Sequence, residues 1–137
     1  MKNNSLSHHT LNADLTSLLL RLILGGSMVY HGYTKLAGYN QILPVFPDLV
    51  GVGSTLSFNL AIFAEFFCGL FLIFGLLTRL SVIPVFIAMA VAFFIAHGAD
   101  PYKVKELAFV FLLLSVVVFI SGSGRYSVDK LIFKPKS

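Results

Sequence analysis

The segment FNLAIFAEFFCGLFLIFGLL, residues 58–77, is an almost unbroken apolar run with a single acid, Glu65, near its middle. At about 1.5 Å per residue it is roughly 30 Å long, the hydrocarbon thickness of a bilayer, so it reads as a transmembrane helix. A charged side chain at that depth costs roughly 2.5–3.5 kcal/mol on insertion scales and is tolerated where it faces other helices. The segment therefore predicts a membrane span and a polar site within it.

Three further stretches share this character: residues 15–35, 80–97 and 104–120. The last two are short spans, and both cross a bilayer with snorkelling ends or slight local thinning. Composition agrees, since 57% of the 137 residues are hydrophobic, 12% are charged and mean hydropathy is +0.88. A soluble domain of this size cannot cover so much apolar surface. The expectation is an all-α, polytopic membrane four-helix bundle over residues 15–121, with tails at 1–14 and 122–137. The first span follows Asp14, a candidate N-cap, and is too long and too interrupted by Arg21 for a cleaved leader. His8 and His9, in the polar stretch MKNNSLSHHTLN, read as tail.

With four spans both termini share a side. That side carries Lys2, Arg79, Arg125, Lys130, Lys134 and Lys136, against Lys35, Lys103 and Lys105 opposite. The positive-inside rule then places the termini in the cytoplasm of a bacterial cytoplasmic membrane. The net charge of +4 is explained by this topology and by anionic headgroups. No basic strip interleaved with aromatics points to nucleic acid.

The linker at 37–57 is broken by Pro44, Pro47, Gly51 and Gly53, yet keeps Ile42, Leu43, Val45, Phe46, Leu49 and Val50. A solvated loop has no use for those six, so the linker is expected to fold back over the outer face as an interfacial segment or lid. The short link Leu77–Leu80 predicts a tight hairpin between the second and third spans.

Counted from the cytoplasmic helix ends at about 1.5 Å per residue, Arg21 lies about 9 Å deep, Glu65 about 18 Å, and His31, His97 and Glu106 about 24–26 Å. Arg21, Gly25, Met28, Gly32 and Lys35 share one helical face with His31 at its edge, and Ala61, Glu65 and Gly69 form a small-residue face on the next span. Two roles are open to Glu65: permanent counter-ion of Arg21, or a buried acid exchanging protons with His31 or His97. The equal depths of His31, His97 and Glu106 suggest one shared site beneath the linker. These residue types suit a metal, but the spacing lacks the Glu-x-x-His pairing of helical di-iron sites. Tyr30, Tyr33, Tyr39 and Tyr102 fit an interfacial aromatic belt, with Tyr30 or Tyr33 a candidate donor to a quinone carbonyl. Cys68 is the only cysteine and reads as core, and Gly122–Arg125 reads as a helix stop rather than a phosphate loop.

An ordered set of these residues resembles the DoxX family of small four-helix membrane proteins. It comprises Leu20–Leu22 around Arg21, His31–Leu36 (HGYTKL), Ala64–Glu65, Gly75–Arg79 (GLLTR), His97, Glu106 and Gly122–Asp129 (GSGRYSVD). The resemblance implies a subunit of a membrane oxidoreductase that handles quinone or quinol and is linked to sulfur or redox-stress chemistry. Glu65, His31, His97 and Glu106 would then be proton-handling or ligand residues, with Arg21, Tyr30, Tyr33 and Lys35 about the quinone. No motif for flavin, haem or an iron–sulfur cluster is present, so electrons would need a quinone, a metal or partner subunits. A non-catalytic scaffold subunit, a homo-oligomer or a small-molecule carrier uses the same bundle.

Overall fold

The computed structural model describes residues 12–133, which fold into helices with no strand among them. His8, His9, Lys2, Lys134 and Lys136 lie outside the described residues. Four helices are long and apolar enough to cross a membrane: α1 (Ala13–Ala37), α3 (Ser54–Phe74), α4 (Thr78–Ala96) and α5 (Tyr102–Ser121). Short helices α2 (Tyr39–Ile42) and α6 (Val128–Ile132) follow α1 and α5. The chain is an all-α integral membrane bundle.

Helix ends follow local chemistry. Asn12, not Asp14, caps α1: its Oδ1 accepts the Leu15 N–H at 3.0 Å, while Asp14 accepts the Arg125 N–H at 3.0 Å. The second span starts at Ser54, after Gly53 with φ of +96°, and ends at Phe74, where Gly75 turns left-handed with φ of +68°. The apolar run alone does not show that stop, because Leu76 and Leu77 continue it beyond the helix. Two helices carry one wide turn each, of the π type, at Phe63–Phe67 in α3 and Ala92–Ala96 in α4.

The α1 face anticipated from its period is the buried one, with Arg21, Leu24, Gly25, Met28 and Gly32 turned inward. A Cβ on Gly25 would stand 2.8 Å from the Gly69 carbonyl oxygen, and one on Gly32 would stand 2.5 Å from the Phe66 nitrogen. Glycine lets the two backbones meet, the usual device where no hydrophobic effect drives helices together. Leu24, Met28, Leu72, Val82, Val85 and Val118 fill the core. Leucine, isoleucine and phenylalanine side chains on the outer faces stay exposed, as a lipid-facing surface requires.

The end of the bundle that carries the described termini is tied by charge. The guanidinium of Arg21, with no exposed surface, donates to the carbonyls of Leu72 at 3.0 Å, Ile73 at 3.2 Å and Tyr126. Asp129 accepts the N–H groups of Leu77 at 2.6 Å and Thr78 at 3.0 Å, capping the start of α4 from a distant part of the chain. Arg79 donates to Phe119 and Ile120 carbonyls at the end of α5. Each charge satisfies backbone groups that a helix end leaves without partners.

Candidate functional site

At the opposite end, α3 and α4 diverge from the hairpin that joins them, and a cavity of about 470 Å³ lies between them. Its α4 wall is built on small side chains four residues apart, Ala88, Ala92 and Ala96, in register with Pro84. That spacing keeps them on one helical face, and their size leaves the room. The linker closes the top through Phe46, Leu49 and Val50. Phe46 and Tyr39 both pack on Phe58, with ring centroids 4.9 and 5.1 Å apart, and the Tyr39 hydroxyl donates to Asn59 Oδ1 at 2.7 Å. Asp48 pins the turn that follows, accepting from the Gly51 and Val52 N–H groups and the Ser57 hydroxyl at 3.0–3.1 Å. The nearby Gly53 N–H foremost, together with these contacts, holds the Asp48 carboxyl below its ordinary range.

One charged pair faces the cavity. Lys35, in the last turn of α1, places Nζ 3.0 Å from Glu65 Oε1 and 2.9 Å from Oε2. The Glu65 side chain is 7% exposed and that of Lys35 25%. The ammonium thus bridges both carboxylate oxygens, hydrogen-bonded to Oε1 and in ionic contact with buried Oε2. Glu65 sits in the wide turn of α3, where one extra residue per turn re-aims side chains; such turns recur at functional sites. Lysine suits the end of α1, where the negative pole of the helix favours a cation.

His97 stands at the cavity mouth with its ring 44% exposed, and its Nδ1 is 2.8 Å from Asp100 Oδ2. Sequence reasoning missed Asp100, although its place three residues after His97 was a signal available in the chain.

The expected counter-ion of Glu65 is corrected. Arg21 is engaged with helix-end carbonyls at the far end of the bundle, and Lys35 takes the place beside the acid. The predicted convergence of His31, His97 and Glu106 also fails. The His31 ring packs edge-on to Tyr30 and Phe111, at 5.5 and 6.1 Å, and Glu106 lies exposed on the first turns of α5. Among the described residues no three histidine, cysteine or acidic side chains are grouped to hold a metal. Tyr30 and Tyr33 are largely exposed on α1 and do not line the cavity. Of the eight residues proposed from sequence, Glu65, Lys35 and His97 share one cavity, whereas Arg21, Tyr30, Tyr33, His31 and Glu106 lie elsewhere.

The DoxX family model matches residues 16–98. The chain belongs to the DoxX family. Every residue that lines the cavity, from Lys35 to His97, falls inside that match, so the site is part of the DoxX core of the chain rather than of its flanks. A Haemophilus influenzae relative, an uncharacterized protein, is 26% identical and covers 90% of this DoxX chain and 87% of its own length. A Bacillus subtilis relative named "Putative oxidoreductase CatD" is 27% identical and covers 90% of this chain and 91% of its own. No solved structure matches the chain.

Proposed function

We propose that this DoxX protein is a subunit of a quinone- or quinol-linked oxidoreductase of the bacterial cytoplasmic membrane, with both termini cytoplasmic and the cavity holding the quinone-type head group. One observation carries the reading: an apolar chamber inside the membrane with buried Glu65, paired to half-buried Lys35, on its wall. Ligand pockets are mostly apolar with a few convergent polar groups, and intramembrane ionisable residues mark functional sites. A lipid-soluble ring with polar substituents fits both halves of that description. Leu60 and Phe63 of α3 and Ile87 of α4 line the cavity and are also about half exposed. That flank gives a ligand dissolved in the bilayer a sideways route in. A quinol carries two electrons and two protons; with no electron-carrying motif in the chain, a partner subunit takes the electrons. The proposed roles here are binding and proton handling, with Glu65 and Lys35 on the head group and His97–Asp100 between it and the outer water. The relative named as an oxidoreductase supports the class of reaction.

The test is to fill the chamber. Ala92→Phe places a ring where the methyl now faces the cavity. A decyl-tailed benzoquinone analogue should stabilise the purified wild type against heat and lose at least tenfold in affinity for the variant. Equal binding to both proteins refutes the assignment.

A further inference from the structure

We propose that α6 and the turn leading into it form an interfacial foot, which lies in the leaflet at the hairpin end of the bundle and binds anionic phospholipid headgroups there. Hydrogen bonds fix its depth. Asp129, in the first turn of α6, accepts the Leu77 and Thr78 N–H groups at 2.6 and 3.0 Å, and its own N–H donates to the Gly75 carbonyl at 3.0 Å. The start of α6 is therefore held level with the hairpin that joins α3 to α4. Lipid still surrounds the bundle at that level, since Phe74 and Leu80 on the two sides of the hairpin are largely exposed on spans whose outward faces meet hydrocarbon. Beyond Asp129 no hydrogen bond ties α6 to a spanning helix among the described residues, and Leu131, Ile132 and Phe133 are each more than half exposed. Three consecutive large apolar side chains form a patch that water does not favour. The acyl-chain boundary at their own depth covers them.

Charge selects the headgroup. Both acidic side chains of this end are occupied by the backbone: Asp14 accepts the Arg125 N–H, and Asp129 caps α4. The Arg125 and Lys130 side chains are exposed, and among the described residues they make no ion pair and donate no hydrogen bond. Lys130 adjoins Leu131, so its stem can lie along the apolar surface with the ammonium at headgroup level. Tyr126, half exposed beside Arg125, adds a ring of the kind that collects at membrane interfaces. Apolar residues set among free cations are the composition of an interfacial anchor. A cation close to an anionic leaflet favours it by about fivefold. Binding also bears on the fold, because the same turn supplies the Tyr126 carbonyl to Arg21 and the Asp129 cap to α4.

The chain has no tryptophan, so Leu131→Trp introduces a single reporter at an exposed position. The full chain is placed in nanodiscs of phosphatidylcholine with a minor share of phosphatidylglycerol, and bromine-labelled acyl chains are carried by one lipid or the other. The expected result is blue-shifted emission, quenched by brominated phosphatidylglycerol about fivefold more than its share of the bilayer predicts. Arg125→Gln together with Lys130→Gln should return that quenching to the lipid's share while the emission stays blue-shifted. Water-like emission open to aqueous iodide overturns the proposal, because the foot then lies outside the leaflet. Quenching in proportion to each lipid's share overturns it as well, since no headgroup is then bound. Blue-shifted emission that neither brominated lipid quenches means that protein, a partner or a second copy, covers the foot, and this too overturns it. Ile132→Trp gives the same reading from the adjacent position if Leu131→Trp fails to fold.

Discussion

The two ends of this bundle treat buried charge in opposite ways. At the hairpin end, Arg21, Arg79 and Asp129 are spent on backbone groups left over by helix termini, and the chain after α5 wraps back to complete the knot. Arg21 Nε and Thr78 Oγ1 are buried there, away from the chamber between α3 and α4. At the linker end, Glu65 and Lys35 satisfy each other's charge on the wall of an apolar chamber. Residues of the same chemical kind thus serve as structure where backbone surrounds them and as a site where space does. Burial of a charge in a membrane does not distinguish these cases; the identity of its partner does.

The comparison breaks most easily at Arg21. Arg21→Leu removes donors from the buried Leu72 carbonyl and from the half-buried Ile73 and Tyr126 carbonyls, in two parts of the chain. The expected loss is roughly 3–5 kcal/mol of stability, the scale of stranding the partners of a buried charge, seen as a large fall in the thermal unfolding midpoint in detergent. Ligand binding in the surviving folded fraction should be unchanged. If instead binding fails while the midpoint holds, the division of labour between the ends is wrong.

Gly75 tests the same knot with a smaller change. Its φ of +68° is a left-handed helix stop, and an added Cβ would lie 2.6 Å from Arg21 Nη1 and 2.5 Å from Ser127 Cβ. Gly75→Ala is expected to cost about 2 kcal/mol through backbone strain and overpacking, measured by the same unfolding assay. An unshifted midpoint would mean that the tail packs less tightly there than its contacts indicate.

Glu65→Gln should cost less stability still, about 1 kcal/mol, because Lys35 is partly exposed at the end of α1 and can carry its ammonium toward the headgroups when the carboxylate is gone. Its effect on quinol binding should be about tenfold or more. A variant that unfolds as readily as Arg21→Leu would show that the pair is structural after all.

How much of this was legible in the chain follows the same divide. Apolar length gave the four spans, and the helical period gave the buried face of α1 with Arg21, Gly25, Met28 and Gly32. The inward turn of Glu65 was legible from its insertion cost. Its partner was not, because axial depth and side-chain reach allow both Arg21 and Lys35. What decides between them is a competitor absent from a list of side chains: the carbonyls of Leu72 and Ile73 at the helix end set by Gly75, which capture Arg21 first. Equal depth misled in the case of His31, His97 and Glu106, since depth fixes height along the membrane normal and says nothing about direction around it. The apolar residues of the linker did signal its docking, and Phe46, Leu49 and Val50 roof the cavity. The wide turn at Phe63–Phe67 leaves no mark in the sequence pattern that reasoning from period could use.

The gentlest test concerns that roof. The Gly53 N–H chiefly, with the Ser57 hydroxyl and the Val52 and Gly51 N–H groups, holds the Asp48 carboxyl below its ordinary value of 3.8, against an opposing contribution from desolvation. A carboxyl depressed in the folded state adds stability that is fully present above its unfolded value and is lost as pH falls through its folded value. The linker should therefore be unchanged from neutral pH down to about 5 and loosen only below about 4. Amide hydrogen exchange at Gly51 and Val52, corrected for the intrinsic pH dependence of exchange, reads this directly. Asp48→Asn should show the faster exchange at neutral pH, with no further change on acidification, while the Gly75 N–H, bonded to the Leu72 carbonyl at the other end, stays protected throughout. Protection at Gly51 and Val52 that ignores both the pH and the substitution would mean the roof is held by the Phe46 and Tyr39 packing on Phe58 alone, and the linker end would then owe its closure to apolar contacts rather than to charge.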